Sequence, residues 1–123
     1  NIRQKIAKNY LNKLKNLPIK FQKISINYFS AYHLFIIRVK KNIRLRLFNY
    51  LRNHNINVNI HYIPIYKHIY YKKKFKFRTT YLENSEEYYK TAISLPIYPD
   101  LKKKEQDYVI KTILNFFNNE KKN

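Results

Sequence analysis

The stretch that decides the fold class is residues 43–64, IRLRLFNYLRNHNINVNIHYIP. Leu47 and Leu51 lie on one face of a helix, with arginines and asparagines on the other. Over residues 56–60 the pattern changes to strict apolar–polar alternation, which predicts a strand. Pro64 lacks the amide hydrogen that a ladder needs and ends the strand. The stretch therefore predicts a helix followed by a strand, as in an α/β fold.

Other segments predict further helices and one more strand. Residues 2–17 carry apolar side chains at every fourth position and stop at Pro18, as an amphipathic helix does. The apolar run 34–39 predicts a buried strand. Residues 21–32 predict an irregular connection, and residues 66–81 predict a loop with room for one helical turn. The remaining predicted elements are a helix over residues 83–93, capped by Asn84 or Ser85, and a C-terminal helix over residues 102–118. Together they predict a short sheet covered by helices.

The chain contains no glycine. A glycine-rich phosphate loop is therefore excluded. Turns that need positive φ must use another residue, and asparagine enters the left-handed region at modest cost. Asn53, Asn55 and Asn57 cluster between the predicted helix and strand, which indicates such a turn.

Composition limits the class of protein. The 123 residues fit one domain. No apolar run approaches the roughly 20 residues of a membrane span, and no cysteine is present for a disulfide framework. We therefore expect a cytoplasmic protein without a membrane partner.

The net charge of +19 favours polyanionic partners. Much of that charge is lysine, which accompanies many asparagines, isoleucines and tyrosines, a combination typical of AT-rich codons. A free-standing basic module that binds nucleic acid through the aromatic and lysine-rich residues 67–78 is therefore the less favoured alternative.

Residues 60–68 concentrate side chains suited to ligand binding. The imidazole of His61 and the phenol of Tyr62 would hydrogen-bond a phosphorylated or sugar ligand while their rings stack on it. The competing interpretation is an aromatic loop packed on the core. His61, His68 and Asp100 could form a two-histidine, one-carboxylate metal site on paper, but their spacing does not indicate one. We expect no metal site.

Four stretches occur together in the order and spacing of a known family. They are SAYHLF at residues 30–35, the run 44–64 ending in HYIP, SEEYY at 85–89 leading to SLPIYP at 94–99, and residues 101–110. The set resembles the C-terminal region of the DegT/DnrJ/StrS sugar aminotransferases, which depend on pyridoxal 5'-phosphate (PLP). Residues 61–71 are most similar to the branch that aminates a UDP-4-keto-6-deoxy-N-acetylhexosamine on the way to pseudaminic acid.

The resemblance implies a fold and a reaction. The fold is that of the aspartate aminotransferases, the type I PLP fold, of which this region is the small C-terminal lobe. Family members work as homodimers, take an amino group from glutamate and pass it to C4 of the keto-sugar. The cofactor lysine belongs to a large domain upstream of this region, so the resemblance implies that these residues are inactive alone.

The resemblance also implies an organisation and a set of ligand contacts. Residues 1–17 would be the helix that links the lobes, and residues 18–123 the small domain. His61 is the first candidate for contact with the sugar nucleotide, followed by Tyr62 and His33. No residue is expected to be catalytic, to bind the cofactor or to bind metal.

Three features depart from the family pattern. Asn55 stands where a glycine is usual, and the stretch before Glu86 lacks the glycine that is usual there. A serine or threonine is expected near Lys102 as the cap of a capping box with Glu105, and its loss is expected to weaken the start of the last helix by ~1 kcal/mol.

Overall fold

A computed structural model describes residues 2–75 and 82–120. The elements, in chain order, are α1 (Ile2–Leu14), β1 (Lys20–Phe21), β2 (Phe35–Arg38), α2 (Lys41–Asn53), a 3-10 turn (Ile65–Lys67), α3 (Ile69–Lys74), α4 (Glu83–Thr91), β3 (Ala92–Leu95) and α5 (Lys103–Glu120). The last part of the predicted loop, residues 76–81, lies outside the described residues.

The three strands form one antiparallel sheet in the order β1, β2, β3. Phe35 lies opposite Leu95, and Ile37 lies opposite Ile93. The side chains of all four residues are buried. The short strand β1 pairs through two residues, and one of them, Phe21, lies in the connection that the sequence predicted to be irregular.

Within the described residues, α1, α2 and α5 pack with this sheet around one apolar core. α1, α2 and α5 contribute most of its helical residues, and β2 and β3 contribute the strand residues. This arrangement confirms the predicted fold class, an α/β structure in which helices cover a short sheet. The main buried side chains are Ile6, Ala7, Tyr10, Leu14, Phe35, Ile37, Leu47, Leu51, Ile93, Leu95, Val109, Ile113 and Phe117.

Residues 56–60 do not form the predicted strand, although apolar side chains of this segment face the core. Ile56 and Val58 are buried. Their amides donate locally, Ile56 to the carbonyl of Leu51 and Val58 to the carbonyl of Ile56. Only Asn59 pairs with the sheet, as an isolated bridge. The segment is therefore anchored to the core by its side chains rather than by a ladder.

The predicted helix over residues 83–93 begins at Glu83 as predicted, but its predicted cap and its predicted end are wrong. No side chain of the described residues caps α4 at its start, so neither Asn84 nor Ser85 has the predicted role. The helix ends at Thr91, whose hydroxyl donates to the carbonyl of Glu87 at 2.6 Å. Residues 92–95 become β3, because β2 needs an antiparallel partner and these four residues are all buried.

The first helix is bound to the rest of the fold by polar contacts as well as by packing. α1 ends at Leu14 rather than at the predicted residue 17. Tyr10 is buried, with its ring centroid 5.0 Å from that of Phe35. Burial raises the pKa of the Tyr10 hydroxyl, so it keeps its proton and donates to the carbonyl of Pro96 at 3.0 Å.

Half of a capping box survives at the start of α5. The backbone amide of Lys102 donates to Oε2 of Glu105 at 2.9 Å. The other half, a side-chain oxygen on residue 102, is missing because the residue is lysine. The family pattern predicted this weakness, and the geometry leaves room to repair it.

Lys102→Ser should stabilise the chain by ~1 kcal/mol, because the serine hydroxyl would accept a hydrogen bond from a free amide in the first turn of α5. Urea unfolding followed by circular dichroism measures the change. Lys104→Ser is the matched control, since this exposed lysine lies inside the first turn and cannot cap it. Equal effects of the two substitutions would contradict the capping explanation.

Candidate functional site

The segment that follows α2 carries two of the three predicted site residues. The chain turns at Asn55, whose φ of 57° lies in the left-handed region. This confirms that asparagine takes the role of glycine in this turn. Asn59 then pairs with Ser94 of β3, through N–O distances of 2.8 and 3.3 Å. His61 and Tyr62 follow directly, so their backbone leaves the edge of the sheet from a fixed point.

His61 and Tyr62 lie together at this edge. Nδ1 of His61 is 2.7 Å from Oγ of Ser94, and the histidine is half-buried. The ring centroids of His61 and Tyr62 are 4.5 Å apart, with an interplanar angle of 87°. Tyr62 is 72% exposed. The pair thus presents one oriented imidazole and one open phenol to whatever covers this edge.

His33 is separate from this pair. It is exposed and precedes β2, whose first residue Phe35 lies opposite Leu95 at the end of β3. No hydrogen bond or ring contact joins His33 to His61 or Tyr62 in residues 2–75 and 82–120. The role of all three as ligand contacts remains a prediction.

A second anchor holds the residues after Tyr62, and sequence reasoning missed it. Glu86 of α4 accepts hydrogen bonds from the hydroxyl of Tyr66 at 2.9 Å and from Nζ of Lys67 at 2.7 Å. Nζ of Lys90 lies 3.2 Å from the other carboxylate oxygen. The 3-10 turn is thereby attached to α4. The sequence signal that could have indicated this anchor was the spacing of Glu86 and Lys90, which places them on one helix face.

This anchor perturbs the ionisation of its members. The hydrogen bond from Lys67, together with those from Tyr66 and Lys90, lowers the pKa of Glu86 to about 2. The same bond to Glu86 raises the pKa of Lys67. Both groups are therefore charged over the whole neutral range.

The anchor predicts a specific pH dependence of stability. The folded-state pKa of Glu86 is depressed from 4.5 to about 2, so its contribution is complete above 4.5 and is lost as the pH falls toward 2. Glu86→Gln should destabilise the chain at pH 7 and should flatten this acid decline. Urea unfolding at several pH values between neutrality and 2 measures both effects.

Glu83→Gln is the control for that prediction. Glu83 is exposed in the first turn of the same helix, and no ion pair joins it to another described residue. Its removal should leave the acid decline parallel to that of the unaltered chain. An unaltered decline in Glu86→Gln would contradict a stabilising role for the anchor.

Among the lysines of the described residues, the one with a perturbed pKa does not fit a PLP Schiff base. Lys67 and Lys90 are the half-buried ones, and both pair with Glu86. A Schiff-base lysine must give up its proton, which a lowered pKa favours. The pKa of Lys67 is raised instead. Lys67 is therefore not suited to hold the cofactor.

Metal binding and membrane insertion are two further possibilities for the described residues. No group of three histidine, aspartate or glutamate side chains lies close enough to hold a metal ion there. Nε2 of His68 instead lies 3.3 Å from the carbonyl of Ile63. None of the described helices has the length and apolarity needed to cross a membrane.

Comparisons with known proteins cover nearly the whole chain. Residues 1–114 match the model of the DegT/DnrJ/EryC1/StrS aminotransferase family. The spore coat polysaccharide biosynthesis protein SpsC of Bacillus subtilis (strain 168) is 32% identical over 88 residues, which are 68% of this chain and 23% of SpsC. This chain thus spans about a quarter of that relative.

Solved structures agree with this match. Spr1654 of Streptococcus pneumoniae in its PLP form is similar with a TM-score of 0.84 and 25% identity, over 95% of this chain and 31% of that protein. PseC of Helicobacter pylori, an aminotransferase involved in pseudoaminic acid biosynthesis, has a TM-score of 0.84 at 23% identity, over 95% and 32% of the two chains. These neighbours have the type I PLP fold, and the comparisons give no support to nucleic-acid binding. The chain belongs to the DegT/DnrJ/EryC1/StrS aminotransferase family.

Proposed function

We propose that this chain is the small C-terminal lobe of a PLP-dependent sugar aminotransferase and is inactive without the rest of the enzyme. The observation that carries the proposal is the family match over residues 1–114, in a chain that spans about a quarter of its relative SpsC. A large domain outside this chain would hold PLP. The cofactor would supply the amino-group carrier, and this lobe would supply contacts to the substrate.

The proposed substrates are glutamate as amino donor and a UDP-4-keto-6-deoxy-N-acetylhexosamine as acceptor at C4. Support for this narrower assignment comes from the similarity of residues 61–71 to the branch that leads to pseudaminic acid. The complete enzyme would work as a homodimer. In it, residues 1–17 would link the two lobes and residues 18–123 would form the small one.

Within this lobe, we assign substrate contact to His61 first. Its Nδ1 is held by Ser94 while the ring stays half-exposed, so the imidazole is oriented before a ligand arrives. Tyr62 offers an exposed ring for stacking on a base or sugar face. His33 would contribute from the residues that precede β2.

The test uses the complete protein loaded with PLP. Glutamate should change the near-ultraviolet absorbance of the cofactor, and the keto-sugar nucleotide should restore it. His61→Ala should raise KM for the sugar nucleotide about tenfold, equivalent to ~1.4 kcal/mol, and leave the glutamate step unchanged. His54→Gln is the matched control, since this histidine lies at the end of α2 and bonds the carbonyl of Tyr50.

Two results would contradict the proposal at different levels. The first result concerns the complete protein. If glutamate does not change its absorbance, and if it binds an oligonucleotide with an affinity that falls steeply with salt, the aminotransferase assignment is wrong. An unchanged KM in His61→Ala would overturn only the role of that residue.

A further inference from the structure

Ser94, which contacts Nδ1 of His61, is held by neighbouring backbone segments and is buried. It lies in β3, opposite Ile36 of β2 on one side. On the other side its amide and carbonyl both bond the backbone of Asn59. Ser94 is only 5% exposed. Its side chain therefore projects from a backbone that neighbours fix on both sides.

The hydroxyl of Ser94 has one hydrogen-bond partner in the described part of the chain, Nδ1 of His61 at 2.7 Å. A serine hydroxyl has one proton to donate and also accepts. If Nδ1 carried the proton, the imidazole would donate, and the buried hydroxyl proton of Ser94 would have no acceptor. Leaving a buried donor unpaired is costly. The favoured arrangement has the hydroxyl donating to an unprotonated Nδ1.

We infer that Ser94 is a positioning residue that holds neutral His61 as the Nε2–H tautomer. Because Nδ1 faces Ser94, Nε2 points away from Ser94 and carries the hydrogen that a ligand can accept. His61 then donates to its ligand and does not accept from it. The inference rests on the proposed function and makes it more specific: the substrate atom at His61 is an oxygen with a free lone pair.

The chain contains its own reference for this assignment. Nδ1 of His54 lies 2.8 Å from the carbonyl oxygen of Tyr50, which can only accept, so neutral His54 must carry its proton on Nδ1. His61 and His54 are thus expected to be opposite tautomers. Their difference comes from the chemistry of one partner atom, a hydroxyl against a carbonyl.

The first test is nitrogen-15 NMR of the histidine-labelled chain at about pH 8.5, where imidazoles with ordinary pKa values are neutral. The signals of His61 are identified by their disappearance in His61→Gln. They should show the protonated nitrogen at Nε2, whereas the signals of His54 should show it at Nδ1. Ser94→Ala should convert the His61 signals to an average of both tautomers. Ser85→Ala, at an exposed serine of α4, should change neither histidine. A proton on Nδ1 of His61, or unchanged signals in Ser94→Ala, would overturn the inference.

The second test is kinetic and uses the complete enzyme. Ser94→Ala should raise KM for the sugar nucleotide about fivefold, the size of one lost hydrogen bond, and leave the glutamate step unchanged. Ser94→Thr keeps the hydroxyl and should restore both KM and the tautomer.

The two hypotheses fail separately. If His61→Ala leaves KM unchanged, the proposed substrate contact is wrong whatever the tautomer. If His61→Ala raises KM while Ser94→Ala changes neither KM nor the NMR signals, the positioning role of Ser94 is wrong and the substrate contact stands.

Discussion

Ile93→Ala should lower the free energy of unfolding by about 2–5 kcal/mol, because it removes a large buried side chain and leaves a cavity that the neighbouring residues cannot fill. Ile93 is fully buried in the middle of β3, opposite the fully buried Ile37 of β2. Residues of α1, α2 and α5 belong to the same core as Ile93, so the cavity would lie inside that core. For a domain whose whole stability is about 5–15 kcal/mol, this is a large fraction.

Chemical unfolding measures the effect, and the chain supplies an unusually direct control. Ile26→Ala makes the same chemical change at a residue that is 98% exposed, and it should alter stability by less than about 0.5 kcal/mol. Ile93→Val should fall between them, at about 0.5–1.5 kcal/mol. If Ile93→Ala and Ile26→Ala have similar effects, the central position of β3 in the core is wrong.

β3 also shows where sequence reasoning stops. The helices α1, α2 and α5 were predictable because the period of their apolar residues is itself the signal. Residues 92–95 carry no such local signal, and they become a strand because distant β2 pairs with them. Residues 56–60 show the converse. Their apolar–polar alternation correctly indicates buried side chains, but the segment does not form the strand ladder that such alternation usually accompanies.

The candidate site likewise contains residues that could be predicted from the sequence and residues that could not. His61 and Tyr62 were reached through their residue types and the family resemblance. Ser94 and Glu86 become partners of that segment only in three dimensions, through contacts with His61 and with Tyr66. A pattern along the chain identifies the groups that face a ligand. The groups that hold them depend on tertiary contacts.

Gln106 is the clearest case of a buried polar group that joins distant parts of the chain. This α5 residue is 5% exposed, and its Nε2 donates to the carbonyl of Ile6 in α1 at 2.7 Å. Its Oε1 accepts from Nδ2 of Asn9 at 2.9 Å. The donor and the acceptor of the Gln106 side-chain amide are thus both paired with α1. These two hydrogen bonds fix the register of α1 against α5.

Gln106→Leu should therefore destabilise the chain by about 1–3 kcal/mol although it makes the interior more apolar, because it leaves the Asn9 amide without its partner. The double variant Asn9→Ala with Gln106→Leu removes the stranded group as well. It should be less destabilised than the sum of the two single variants, with a coupling energy of about 0.5–3 kcal/mol. Simple additivity in urea unfolding would show that the amide pair does not act as a unit.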